Sequence, residues 1–412
     1  MIIKRILITT FVMFIAIGSR ADEEVFKIYL DADRTSYFAS ARSIEMGFKV
    51  AFDEVNNRIG DSKIEFITLD HRGNVKRSLK NMRMFKNDPE GLAYVGGLHS
   101  PPLIKYRDFL NESQILTLVP WAAGGPITRH PSAENNYIFR LSVDDSKVGP
   151  ILIKQAIDAQ CQNIHLLLEN TGWGKSNDRA MRGALPHQFK GTVKSTWFNW
   201  GIQDNNARLM IRELITQQVD CVLLVSNARE GRLLIEAVSD VNADFKVFSH
   251  WGITGGNFPQ QVSKEKRDRV NLKFIQSCFN FYSSPLNEQQ KKVLERARSM
   301  FPNEIKDTDI QAPAGFIHGY DLARIFIVAM QQVTLTHDKN KNSEQLKLAL
   351  ESLHSPIEGL IKTYNTPFSA FSRDNIDAHE ALGAKDLCMA TFDEHNAIKI
   401  EPKSNNEIAG RP

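Results

Sequence analysis

The sequence predicts an α/β protein built on parallel sheets, and three observations carry that expectation. Short apolar runs alternate with segments of helical spacing from Gly47 to Cys278, the pattern of strand–helix–strand units. The segments after the runs are polar or rich in Gly and Ala and hold almost no catalytic side chains. Ligands of such sheets sit just beyond the carboxyl ends of the strands, so these loops point to a protein that holds a molecule without transforming it. Finally, about 390 of 412 residues remain once a leader is set aside, too many for one compact core and suited to two lobes.

The elements follow in order. Val50, Ala51 and Val55 have the spacing of a helix, broken at Asn56-Asn57, and Ile64–Leu69 reads as a strand. Leu79, Met82 and Phe85 mark the next helix, which leads to a buried strand Leu92–Val95 closed by Gly96-Gly97. Strand Ile115–Val119 ends in Pro120 and the tiny residues Ala122–Gly125. Helix Ile151–Ala159 precedes strand Ile164–Leu168, and a helix around Ala180–Leu185 precedes strand Thr192–Phe198. Helix Ala207–Gln217 leads to strand Cys221–Val225, helix Leu233–Val238 to strand Phe245–Ser249, and strand Leu272–Cys278 comes last. Beyond residue 280 come helices over about 287–300, 315–335 and 343–353, then short strands and polar loops from Gly359 to Ile400.

The first residues carry Lys4-Arg5, an apolar run Ile6–Ile17 and Gly18-Ser19-Arg20-Ala21, the plan of a secretory signal cut after Ala21. The run is too short to span a bilayer, which takes roughly 20 residues, and no cysteine stands at the cut for lipid attachment. The expected product is a soluble protein of a bacterial periplasm. Cutting removes Lys4, Arg5 and Arg20 and no acid, so Lys+Arg falls from 51 to 48 against Asp+Glu 48 and the formal charge from +3 to 0. A neutral chain of interspersed charges gives no reason to expect nucleic acid as a partner. Cys161, Cys221, Cys278 and Cys388 each lie in or beside an apolar run, where buried free thiols are the leading reading. The alternative, a disulfide, favours Cys161 with Cys221, which both precede strands of one lobe. No Cys/His spacing marks a metal site, and no cofactor is expected.

Several motifs stand in a telling order. Gly47-Phe-Lys-Val-Ala-Phe-Asp-Glu-Val-Asn-Asn is followed by Tyr94-Val-Gly-Gly-Leu-His-Ser, Thr117-Leu-Val-Pro-Trp-Ala-Ala-Gly-Gly and Tyr137-Ile-Phe-Arg-Leu. Asn170-Thr-Gly-Trp-Gly-Lys-Ser, Ile357-Glu-Gly-Leu and Thr366-Pro-Phe complete the series. By their collinearity over nearly all the mature chain, it resembles the type I periplasmic binding proteins, in the leucine/isoleucine/valine receptor branch. The resemblance implies two doubly wound parallel-sheet lobes joined by three crossovers, near 140–146, 277–284 and 354–358, with a ligand cleft between them. It places lobe I at 22–142 plus 281–355 and lobe II at 143–280 plus 356–403, with a frayed tail at 404–412. It also implies a monomer that closes on a small molecule, an amino acid or a relative, and is then read by an inner-membrane permease or a sensor.

The site residues follow from the same match. In Leu98-His99-Ser100-Pro101 a helix starts after a strand, Ser100 fits an N-cap and Pro101 a first helical residue. The resemblance implies that Ser100 and free N–H groups there hold an anionic group of the ligand. Ala122, Ala123 and Gly124 match the head-group loop, with Ala123 where the family often has Thr. Trp121 either stacks on the ligand or caps that loop. Trp173 matches the aromatic on the closing face of lobe II, and its flanking Gly172 and Gly174 point to an exposed loop. Gly172-Trp-Gly-Lys-Ser is no phosphate loop, because residue 169 is Glu where that motif needs Gly. Asn227 stands where an aromatic is usual and makes the site more polar. Around His250-Trp251-Gly252 the family carries an acid for the ligand ammonium, and none stands here. Either Asp31 or Asp33 in the first loop replaces it, or the ligand has no free ammonium. Trp251 would wall the cleft with Trp121 and Trp173. Tyr320-Asp321 matches a helical pattern and reads as structural. With no Gly-x-Ser-x-Gly elbow and no paired acids in loops, the expectation is a transport receptor and not an enzyme. A sensing subunit is the alternative and a periplasmic hydrolase the third class.

Overall fold

A computed structural model describes residues 24–130, 135–282, 285–306 and 310–401. The expected signal 1–21 and tail 404–412 lie outside the described residues. The chain first lays down β1 (Val25–Ala32), α1 (Phe38–Asp53), β2 (Arg58–Ile59), β3 (Ser62–Asp70) and α2 (Val75–Asn87). Then follow β4 (Gly91–Gly96), α3 (Ser100–Lys105), α4 (Arg107–Glu112), β5 (Thr117–Val119) and β6 (Ile138–Arg140). The break at Asn56 and Asn57 is a left-handed turn, both with φ 54°, a conformation Asn tolerates better than most residues. Asn74 starts α2 by accepting the Lys76 and Arg77 amides on its side chain.

These strands form one sheet in the order β2-β3-β1-β4-β5-β6. Every pairing is parallel except the β2/β3 hairpin. The central strand, β1, has no separate assignment from the sequence, where the strand readings begin at Ile64. The strand order reverses between β1 and β4, and the crevice opens at such a switch point.

After β6 the chain enters a second unit. It contains α5 (Asp145–Asp158), β7 (Asn163–Glu169), α6 (Gly172–Gly183), β8 (Thr192–Phe198), α7 (Asp204–Thr216) and β9 (Cys221–Val225). It continues with α8 (Ala228–Asp240), β10 (Lys246–Ser249), α9 (Phe258–Gln261), α10 (Lys264–Val270) and β11 (Lys273–Ser277). The chain then returns to the first sheet with α11 (Glu288–Met300), α12 (Pro313–Met330) and α13 (Lys339–Glu351). Helix α12 packs along α1. The approach is so close that a Cβ on Gly47 would sit 2.3 Å from the Phe316 carbonyl oxygen, which is why that face of α1 needs glycine. After the hairpin β12 (Ile357–Glu358) and β13 (Thr363–Tyr364), the strands β14 (Leu387–Phe392) and β15 (Ile398–Ile400) rejoin the second unit. Its sheet runs β15-β14-β11-β10-β9-β7-β8, with β14 and β15 antiparallel and the rest parallel. No helix among the described residues is long and apolar enough to cross a membrane.

The cysteines correct the sequence reading. They are not free thiols: Cys161 is bonded to Cys221 and Cys278 to Cys388, with Cα separations of 5.9 and 5.1 Å. The first pair forms because β9 lies beside β7 with Cys221 opposite Ile164. The second forms because β14 runs antiparallel to β11, with Cys388 opposite Gln276. That strand comes from the stretch read as short strands and polar loops, so nothing local pointed Cys278 to its partner. Asp321 is structural, as expected: it accepts the Leu360 and Ile361 amides and the Tyr364 hydroxyl.

Candidate functional site

The carboxyl ends of the strands converge on one cleft between the two sheets. From the first sheet, Leu98, His99, Ser100 and Pro101 follow β4, and Trp121 and Ala123 follow β5. From the second, Trp173 follows β7, Trp200 follows β8, Asn227 follows β9, and Trp251 and Gly252 follow β10. The cleft is narrow and nearly filled by its own side chains, with a cavity volume of about 10 Å³. Eight of the ten residues expected from the sequence line it. Ala122 and Gly124 do not.

The Ala122 side chain packs instead into the first sheet's second apolar cluster, with Leu103 and Ile127. Gly124 works from behind the wall: its N–H donates to Ser100 Oγ at 3.1 Å and its carbonyl accepts from Arg140 Nη1 at 2.7 Å. Ser100 is therefore not the helix cap its sequence position predicts. His99 holds the N-cap position and the Ser100 side chain caps nothing, because its oxygen is spent on the neighbouring loop. Arg140 is fully buried, and its guanidinium meets Glu380 at 2.6 Å and Asp144 at 3.1 Å. Burial raises the Asp144 carboxyl, but Arg140 and Arg129 outweigh it and hold the group well below the usual range. This ion cluster, at the passage from β6 to α5, fixes the small-residue loop that follows β5.

Trp173 also departs from its predicted setting. It stands in the first turn of α6, capped by Thr171, and is buried. A Cβ on Gly174 would lie 1.9 Å from the Glu169 carbonyl oxygen, so this glycine serves a tight strand-to-helix turn and not a loose loop. The Trp173 indole N–H donates to Asp145 Oδ1 at 3.0 Å. His250 Nε2 is also 3.0 Å from that oxygen, while its Nδ1 accepts the Trp251 amide, which assigns the proton to Nε2. Trp121 and Trp251 face each other across the cleft with ring centroids 5.2 Å apart. Behind Trp251 lies His318, whose two nitrogens meet Pro120 O and Ser277 Oγ. Burial lowers its pKa to about 3, so it is neutral.

The acid beside His250 in space is Asp145, which stands behind the lining, and no acid lines the cleft among the described residues. Asp31 is the penultimate residue of β1 and accepts from Ser78, Asn81 and Tyr94 behind the sheet, so it does not reach the cleft. Asp33 approaches His99 Nε2 at 3.5 Å, beyond a good hydrogen bond. Glu169, at the end of β7, is fully buried and lies directly behind two lining residues. Its Oε1 accepts Asn227 N and Nδ2 at 2.7 and 2.8 Å, and its Oε2 accepts Trp200 Nε1 at 2.6 Å. Burial pushes its pKa up to about 8 against those donors, with Glu230 adding to the rise. The clue in the sequence is the single acid closing the apolar run Ile164–Leu168. Trp200 also escapes the sequence reading, although it follows a strand the sequence locates.

Hydrogen bonds also tie one unit to the other across the cleft. Tyr37 Oη donates to Glu230 Oε2 at 3.1 Å, Gly125 N to Ser176 Oγ at 3.0 Å, and Gly256 N to Ser40 Oγ at 3.0 Å. His99 of the first wall packs on Trp200 of the second, 4.9 Å between ring centroids.

A family model described as "Periplasmic binding protein" matches residues 29–377. Among solved structures, a type 1 periplasmic binding protein of Bordetella pertussis Tohama I is 16% identical, with 92% of this chain and 100% of that chain covered and a TM-score of 0.76. The leucine binding protein LivK of Thermotoga maritima is 14% identical, covers 92% and 98%, and has a TM-score of 0.70. A solute binding protein of R. palustris in complex with benzoate is 14% identical, covers 91% and 95%, and has a TM-score of 0.71. No curated protein matches. At such identities the structural likeness is one of fold.

Proposed function

The chain belongs to the periplasmic binding protein family, and from that premise we propose that it is the solute receptor of a transport system outside the cytoplasm. It would take a small polar or zwitterionic ligand by closing one lobe on the other. The observation that carries this reading is the convergence of six strand ends from two sheets on one narrow cleft. The hydrogen bonds across it are those of a closed form. In this reading the lobes divide as 22–142 with 281–355 and 143–280 with 356–403, and rotate about the three crossovers. Of the expected head-group wall, Ser100 and the backbone of Ala123 are left to hold a polar group of the ligand, and the tryptophans enclose the rest. A permease of the inner membrane reads the closed form.

The test is a thermal-shift screen of the exported protein against amino acids, amides, ureas and short organic acids, with X-ray scattering on each hit. A ligand at 100 times its dissociation constant adds about 2.7 kcal/mol of apparent stability, and closure lowers the radius of gyration. Trp173→Ala is expected to weaken any hit by tenfold or more, since a buried aromatic anchor is lost. Hits whose affinity ignores Trp173→Ala would overturn the assigned cleft.

A further inference from the structure

The second wall of the cleft has the chemistry of a cation site without the acceptors an ordinary ammonium needs. Four of the chain's five tryptophans line the cleft, Trp121 from the first wall and Trp173, Trp200 and Trp251 from the second. Among the described residues, no lysine or arginine lines it. Four acids stand buried just behind, Asp33, Asp145, Glu169 and Glu230, of which Glu169 is held protonated at neutral pH by its burial. Their partners among the described residues are indoles, amides, a tyrosine hydroxyl and two histidines, with no lysine or arginine. Asp145 Oδ2 has no hydrogen-bond partner among them. Uncompensated negative charge in a poorly hydrated cleft attracts cations and opposes anions, and the faces of indole rings add to that attraction.

The placement of those acids decides which cation. Both Glu169 oxygens and Asp145 Oδ1 are already taken by protein donors, and none of the four acids belongs to the lining. A primary ammonium brings three N–H donors and, apart from Asp145 Oδ2 behind the wall, would leave them short of acceptors, a costly state in a closed cleft. A fully alkylated nitrogen brings none and needs only field and π surface. We propose that the cleft receives a small quaternary ammonium compound, its cationic head among the tryptophans. This rests on the solute-receptor reading above and replaces its open choice of ligand.

The test is calorimetric titration of the intact exported protein with a matched series: choline, glycine betaine, the neutral choline isostere 3,3-dimethyl-1-butanol, and L-valine. Choline or glycine betaine is expected to bind at least tenfold more tightly than both the neutral isostere and valine. Tighter binding of glycine betaine than of choline assigns its carboxylate to the Ser100 wall, and equal binding leaves the head as the sole anchor; either fits the proposal. Trp251→Leu, which keeps apolar bulk and removes the π face, is expected to weaken the quaternary ligand at least tenfold and the neutral isostere less than threefold. The wild-type series needs no variant, so it decides the matter even if Trp251→Leu fails to fold. If the neutral isostere or valine binds as tightly, the proposal falls and the receptor reading stands. If nothing in the series binds while the broader screen yields a ligand, the proposal again falls alone. If neither the series nor the broader screen yields a ligand, both readings fall.

Discussion

At the scale of residues, Glu169 has a measurable signature. Its folded-state pKa of about 8 lies above the ordinary 4.5. The folded chain therefore keeps a proton that the unfolded chain gives up between those values. This stability is fully present below about pH 4.5 and is lost as pH rises toward 8, on the order of a few kcal/mol in all. Glu169→Gln is expected to flatten that slope, which melting temperatures across pH 4.5–8.5 would show. An unchanged slope would mean that Glu169 is ionised throughout. Tyr37→Phe removes one bond across the cleft, worth about 1 kcal/mol, and is expected to speed ligand release several-fold in stopped-flow fluorescence. Eight lining residues were legible because they sit at strand ends carrying recognisable loops. Glu169 was hidden because its meaning depends on Asn227, 58 positions away, and no spacing rule links the two.

At the scale of elements, the turn from β7 into α6 sets the position of Trp173. Gly174→Ala would press a methyl group onto the Glu169 carbonyl and lever the first turn of α6 away. A cost of ~1–3 kcal/mol is expected, together with weaker ligand binding. Gly183→Ala, where a Cβ meets nothing within 4 Å, is the control in the same helix and is expected to be neutral or stabilising by up to ~1 kcal/mol. Urea denaturation of the pair would show the contrast, and equal effects would refute the turn assignment. Strands β8 and β9 match the expected boundaries residue for residue, since each is a short run with clear ends. The Gly-Trp-Gly segment differs from its expected loop because glycine at a steric contact and glycine at a flexible site look alike in sequence. The cap expected at Ser100 failed for a related reason: a long-range acceptor role competes with the local one.

At the scale of the whole molecule, the two-lobed plan was legible from length and alternation, while the covalent ties were not. All four cysteines lie in the unit of the second sheet. Replacing Cys278 and Cys388 together by Ser is expected to lower stability by about 2–4 kcal/mol, and reductant, which also opens Cys161–Cys221, should cost the wild-type protein at least as much. A melting temperature indifferent to both would mean that packing alone holds β14 to β11. The asymmetry also bears on how the molecule lets go of its cargo. One jaw is riveted and the other has no covalent tie, so spontaneous loosening is expected to begin in the unriveted jaw, the one carrying Ser100 and Trp121. Leakage of a captured molecule would then follow the breathing of that jaw, and amide exchange in β4 and β5 would run ahead of exchange in β9 and β11.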